Sequence, residues 1–100
     1  MDTLKNKVRD LLAQNNLSLA EELKLFRKLS REANKLKKIA RIQCRSEAED
    51  NYFDFRYLLD QGAYALKMLH KFKNGVFYIK KLSDAKAELE KLVAYEKQTA

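Results

Sequence analysis

Cys44 and His70 are the side chains of this sequence best suited to nucleophilic or general-base chemistry near neutral pH, and each residue type occurs once. A Cys/His dyad needs a third group to orient the imidazole, and a His-based zinc site needs further His or Cys ligands. One residue of each kind completes neither set, and a buried structural thiol is the expected role of Cys44. Glu47, Glu49, Asp50 and Asp54 form an acidic cluster of the type that holds divalent cations. Acids also gather at the first turn of a helix, where the macrodipole favours them, so no metal site is expected. Gly62 and Gly75 stand alone and build no phosphate loop. The residues therefore predict no catalytic group, no cofactor and no small-molecule substrate. The chain does not read as an enzyme.

The residue pattern that does carry chemistry is cationic. Residues 24–45 hold Lys24, Arg27, Lys28, Arg31, Lys35, Lys37, Lys38, Arg41 and Arg45 against one acid, Glu32. At 100° per residue, Lys24, Arg27, Lys28, Arg31, Lys35, Lys38 and Arg45 fall within an arc of roughly 100°. Leu25, Phe26, Leu29, Ala33, Leu36, Ala40 and Cys44 fall within a similar arc on the other side. At 1.5 Å per residue the strip is about 30 Å long. Ordinary surface helices mix signs, because opposite charges at i,i+4 stabilise by about 0.2–0.5 kcal/mol and like charges cost as much. A strip of one sign accepts that repulsion and suits a polyanion, whose condensed counterions it releases on binding. Lys71, Lys73, Lys80 and Lys81 make a secondary basic cluster.

The function expected from this pattern is non-enzymatic binding of nucleic acid, DNA or RNA, through phosphate contacts that ignore sequence. The alternative is a small interaction factor whose basic face docks on an acidic protein. Inhibitors, immunity proteins and adaptors of phages or plasmids are examples of that class. A solvated face balanced by Glu47, Asp50 and Asp54 against Arg41 and Arg45 is the structural explanation of the same charges. Peripheral membrane binding is a weaker reading: tryptophan is absent and the apolar side of the helix is needed for a core.

These residues need elements to position them. Leu4, Val8, Leu11 and Leu12 form a helical stripe that Asn15-Asn16 ends. Ser18 and Glu21 read as a capping box, with Leu17 as staple, opening a second helix from about Leu19 to Arg45. Ser46 and Glu49 read as another box, opening a third helix from about Glu47 to Phe72. That helix is apolar on two sides. Phe55, Leu58, Leu59, Leu66 and Leu69 suit a core, while Phe53, Tyr57, Tyr64, Met68 and Phe72 suit a further helix or a second copy of the chain. Stacking on unpaired bases is the less favoured use of the tyrosines. A fourth helix from Val76 to about Gln98 gathers Tyr78, Leu82, Ala85, Leu89, Leu92 and Val93 on one side. Lys71 to Ile79 also reads as a short β-hairpin around Asn74-Gly75, a pair favoured in type I′ turns. The helical reading fits the flanking periodicity better.

Composition agrees with this plan. One hundred residues suit a single domain, 1–100, and 46% apolar content can furnish its core. Proline is absent and glycine occurs twice, whereas sandwiches and barrels need frequent turns. The expected class is all-α, a small antiparallel helical bundle with a short first helix and three longer ones. A single cysteine excludes an internal disulfide and suits a reducing compartment. The N-terminal residues lack the apolar run of a signal peptide, and no stretch reaches the roughly 20 apolar residues of a bilayer span. The expected location is cytoplasmic.

Overall fold

The computed structural model describes residues 2–72 and 75–94. They form α1 (Asp2–Ala13), α2 (Leu19–Ile42), α3 (Ser46–Lys71) and α4 (Val76–Ala94), with no strand among the described residues. The fold is an all-α bundle. α2 and α3 make a long antiparallel hairpin, seen in the opposed pairs Phe26–Gly62, Ser30–Asp60 and Lys37–Phe53. α4 packs along α3, and α1 lies between α2 and α4.

Each helix turns inward the stripe its sequence marks. Leu4, Val8 and Leu11 of α1 are buried, as are Phe26, Leu29, Ala33 and Ala40 of α2. Tyr52, Phe55, Leu59, Ala63 and Leu66 of α3 join them, with Leu89 and Val93 of α4, in one core. Fully burying a Leu or Phe side chain contributes about 1.5–3 kcal/mol, so this core is the main favourable contribution to folding.

The start of α2 follows the Ser18/Glu21 reading. The Ser18 hydroxyl accepts a hydrogen bond from the Glu21 N–H at 3.2 Å and donates to the Glu21 carboxylate at 3.0 Å. Leu17 packs at the edge of the core. The end of α2 differs from expectation. Cys44 adopts φ 57°, the Arg45 N–H reaches the Ala40 carbonyl at 2.9 Å, and the Cys44 N–H reaches Arg41 at 3.1 Å. These are the two bonds of a Schellman closure, with cysteine in the left-handed position that glycine usually takes. The helical count therefore stops at Ile42. Cys44 is exposed instead of lying in the apolar arc, and no buried thiol results. The closure also leaves Ser46 already helical. The residue before it, Arg45, makes no side-chain cap, so the second capping box does not form.

The hairpin alternative at 71–79 is not adopted. Val76 to Ile79 are the first turn of α4, whose Tyr78 and Ile79 N–H groups bond to the Gly75 carbonyl at 2.9 and 3.0 Å. Lys73, Asn74 and residues 95–98, where the fourth helix was expected to continue, lie outside the described residues.

Candidate nucleic-acid interface

Lys24, Arg27, Lys28, Arg31, Lys35, Lys38 and Arg41 of α2 are all exposed, and Arg45 stands exposed in the closure that follows. Along the helix, Lys24 to Arg41 cover about 26 Å. The face is set by burial on the other side: Phe26, Leu29, Ala33 and Ala40 enter the core, which turns the cations outward. Arg45 keeps the sign but not the helical register expected for it, because the helix has ended.

The acids are engaged elsewhere. Glu32, the single acid of residues 24–45, pairs with Lys7 of α1 at 3.0 Å. Glu22 pairs with Lys86 of α4. Asp60 accepts from the Ser30 hydroxyl and lies 3.7 Å from the Arg56 guanidinium. Among the described residues, none of the eight cations of the face enters the ion pairs Lys7–Glu32, Arg56–Asp60, Lys86–Glu22 and Lys91–Glu88. One apolar side chain interrupts the strip: Ile42 is 82% exposed. Spacing alone marks it: Ile42 stands 18 positions, five full helical turns, after Lys24, in the middle of the cationic arc.

Lys37 lies at the edge of the face and has a different role. Its ammonium stands over the Phe53 ring, 5.7 Å from the centroid. Phe53 stacks on Tyr57 with centroids 6.5 Å apart, and further along α3 Tyr64 meets Tyr78 edge-on at 6.1 Å. Lys81 covers Tyr64 at 5.0 Å. Partial burial, with Tyr64 beside it, holds the Tyr78 phenol above its ordinary pKa. No helix of this chain covers this row among the described residues. Phe53, Tyr57 and Tyr64 stay 51%, 55% and 47% exposed, and Met68 is half-buried. The expected second packing face of α3 is therefore an aromatic strip on the surface, bridged by lysines from both neighbouring helices.

Of the secondary cluster, Lys71 and Lys80 are exposed, Lys81 is committed to Tyr64, and Lys73 lies outside the described residues. His70 joins the basic face instead. It lines a cleft with Ala20, Leu23, Lys24, Arg27 and Arg31. The hairpin register explains this: a reversal near residue 44 sets the end of α3 against the start of α2. That signal was present in the sequence but is usable only once α2 and α3 are known to pair.

Among the described residues, no group of three His, Cys, Asp or Glu converges as metal ligands, and no helix is long and apolar enough to cross a membrane. Comparison of the chain with protein-family models, curated proteins and solved structures gives no significant match.

Proposed function

We propose that this protein is a non-enzymatic nucleic-acid-binding factor that grips the phosphate backbone with the outer face of α2. The observation that carries the reading is the set of seven exposed cations along the outer side of α2, with Arg45 exposed just beyond its end, and with the neighbouring acids of α2 and mid-α3 held by other partners. Unpaired guanidinium and ammonium groups can neutralise phosphates at once, without first breaking internal ion pairs. Such contacts position the protein and carry no base information. The binding is accordingly independent of sequence.

The test is a titration of the full chain with duplex and single-stranded oligonucleotides over a range of salt. With about five phosphates contacted, log K falls by about 4.5 per decade of salt on duplex DNA, so affinity drops several hundredfold between roughly 50 and 200 mM. Converting Arg27, Arg31, Lys35 and Lys38 together to glutamine abolishes binding while the far-UV spectrum stays helical. Absence of binding to either oligonucleotide at low salt refutes the proposal.

The aromatic row favours a second reading, docking on an acidic protein. Aromatic side chains are enriched in the cores of protein interfaces; Phe53 and Tyr57 lie close to the basic edge at Lys37, and Tyr64 continues the row beside Lys81. Tyr57→Ser with Tyr64→Ser separates the two. The pair weakens a protein complex and leaves duplex binding unchanged if α2 alone holds the backbone. A second copy of the chain on the same row would appear as a dimer in sedimentation.

A further inference from the structure

We infer that the cleft between the first turns of α2 and the last turn of α3 is a discrete site for a phosphate monoester, the group carried by a strand end or by a phosphorylated small molecule. Its cavity of about 320 Å³ is lined by Ala20, Leu23, Lys24, Arg27, Arg31 and His70. That volume lies at the lower end of the roughly 300–1,000 Å³ of small-ligand sites, enough for one phosphate and the group it esterifies.

Three features make this more than a stretch of the basic face. Lys24, Arg27 and Arg31 are spaced i, i+3 and i+7, so their side chains rise from one side of the helix and meet over one cavity. No acid is among the lining residues, and none of these three cations is ion-paired among the described residues. His70 approaches from the other helix and supplies a ring N–H donor across the cleft, while Ala20 and Leu23 give it an apolar wall. Ala20 also lies in the first turn of α2, where the helix presents its positive end to an anion. Two arginines with their planar forks suit a phosphate better than lysines would.

An internal phosphodiester carries one charge and two free oxygens. A terminal phosphate carries about −1.5 to −2 at pH 7 and three acceptor oxygens. The cleft therefore distinguishes an end from an interior. The inference shares Lys24, Arg27 and Arg31 with the backbone-gripping face and rests on that reading to this extent, but His70 and the cavity belong to the cleft alone.

The experiment uses the full chain with three probes: pyrophosphate, a single-stranded oligonucleotide with a 5′-hydroxyl, and the same oligonucleotide with a 5′-phosphate. His70 is the single histidine, so its imidazole proton resonance reports on the site without assignment. Pyrophosphate shifts that resonance saturably with one site. The 5′-phosphorylated strand binds about tenfold tighter than the hydroxyl strand, the increment of one charge-assisted hydrogen bond. His70→Gln and Arg31→Gln each remove the preference. Lys35→Gln with Lys38→Gln weakens both strands alike and leaves the ratio unchanged. Pyrophosphate binding without any strand preference assigns the site to a free phosphorylated compound. Pyrophosphate binding without any oligonucleotide binding retains the cleft and refutes the backbone grip. No response to pyrophosphate together with equal binding of the two strands overturns the cleft and leaves the backbone grip standing.

Discussion

The ring of Phe26 in α2 rests on the bare α-carbon of Gly62 in α3. A methyl group built on Gly62 would stand 2.8 Å from Phe26 Cδ1, closer than carbon atoms approach, and Phe26 is fully buried. Glycine inside a helix costs about 1 kcal/mol relative to alanine, so propensity alone favours Gly62→Ala. Packing decides the opposite sign. The ring is buried in the core, and overpacking costs about 1–3 kcal/mol. Urea denaturation should show Gly62→Ala less stable than the parent. Phe26→Leu combined with it should lose less than the two single changes added, because the shorter side chain vacates the contested volume. A more stable Gly62→Ala protein would mean that the ring can move aside.

Cys44 gives a prediction of opposite sign. A non-glycine residue in the left-handed region is strained by about 1–2 kcal/mol through its Cβ. Cys44→Gly should therefore stabilise by about 1 kcal/mol, a rise in Tm of roughly 4–8 °C for a chain of this length. Cys44→Val, with a branched Cβ in the same position, should lower the Tm. Equal melting of all three would show that the closure at Arg45 is not held in the folded state.

Two polar residues one turn apart on α2 should respond in opposite directions. Ser30 is buried and donates to Asp60, so Ser30→Ala leaves that carboxylate without a partner it has in the parent. Because Asp60 is about half exposed, the loss is about 1 kcal/mol, below the range for fully buried charged pairs. The Asn34 side-chain oxygen is buried without a hydrogen-bond partner. Asn34→Leu removes that desolvated group, and should be neutral or stabilising by up to about 1 kcal/mol. Chemical denaturation of the two variants side by side checks the contrast.

The basic face should make stability depend on salt. Lys24–Lys28, Arg27–Arg31 and Arg31–Lys35 are like-charge pairs at i,i+4, each costing about 0.2–0.5 kcal/mol at low ionic strength. The Debye length falls from about 10 Å at 0.1 M to about 3 Å at 1 M, so added salt progressively weakens the repulsion between these exposed neighbours, about 5–6 Å apart. The Tm should rise with added sodium chloride. The glutamine variant at Arg27, Arg31, Lys35 and Lys38 should melt higher than the parent at low salt and respond less to added salt. A variant that melts lower would place these side chains in contacts the exposed face does not contain.

Periodicity in the sequence determined the class, the helices and their inner faces. Leu4, Val8 and Leu11, or Ala85, Leu89 and Val93, reach the core because a 3.6-residue repeat of apolar side chains has one low-energy arrangement, turned away from water. The cationic face of α2 was legible for the same reason, since burial of one side dictates exposure of the other. What needed tertiary structure lies at the ends of elements and between them. The stop at Ile42 depends on two backbone bonds and a left-handed Cys44, a conformation that side-chain type argues against. That stop, in turn, removed Cys44 and Arg45 from the arcs that a 100° step assigned to them. The aromatic row of α3 remained largely exposed because α2 and α4 pack mainly on the helix's other faces and reach this one with Lys37, Lys81 and the edge of Tyr78. His70 meets Arg27 and Arg31 across the hairpin, although 39 positions separate it from the nearer of the two. Local spacing carries no information about such a pair; the register of α2 on α3, set where Phe26 fits over Gly62, decides it.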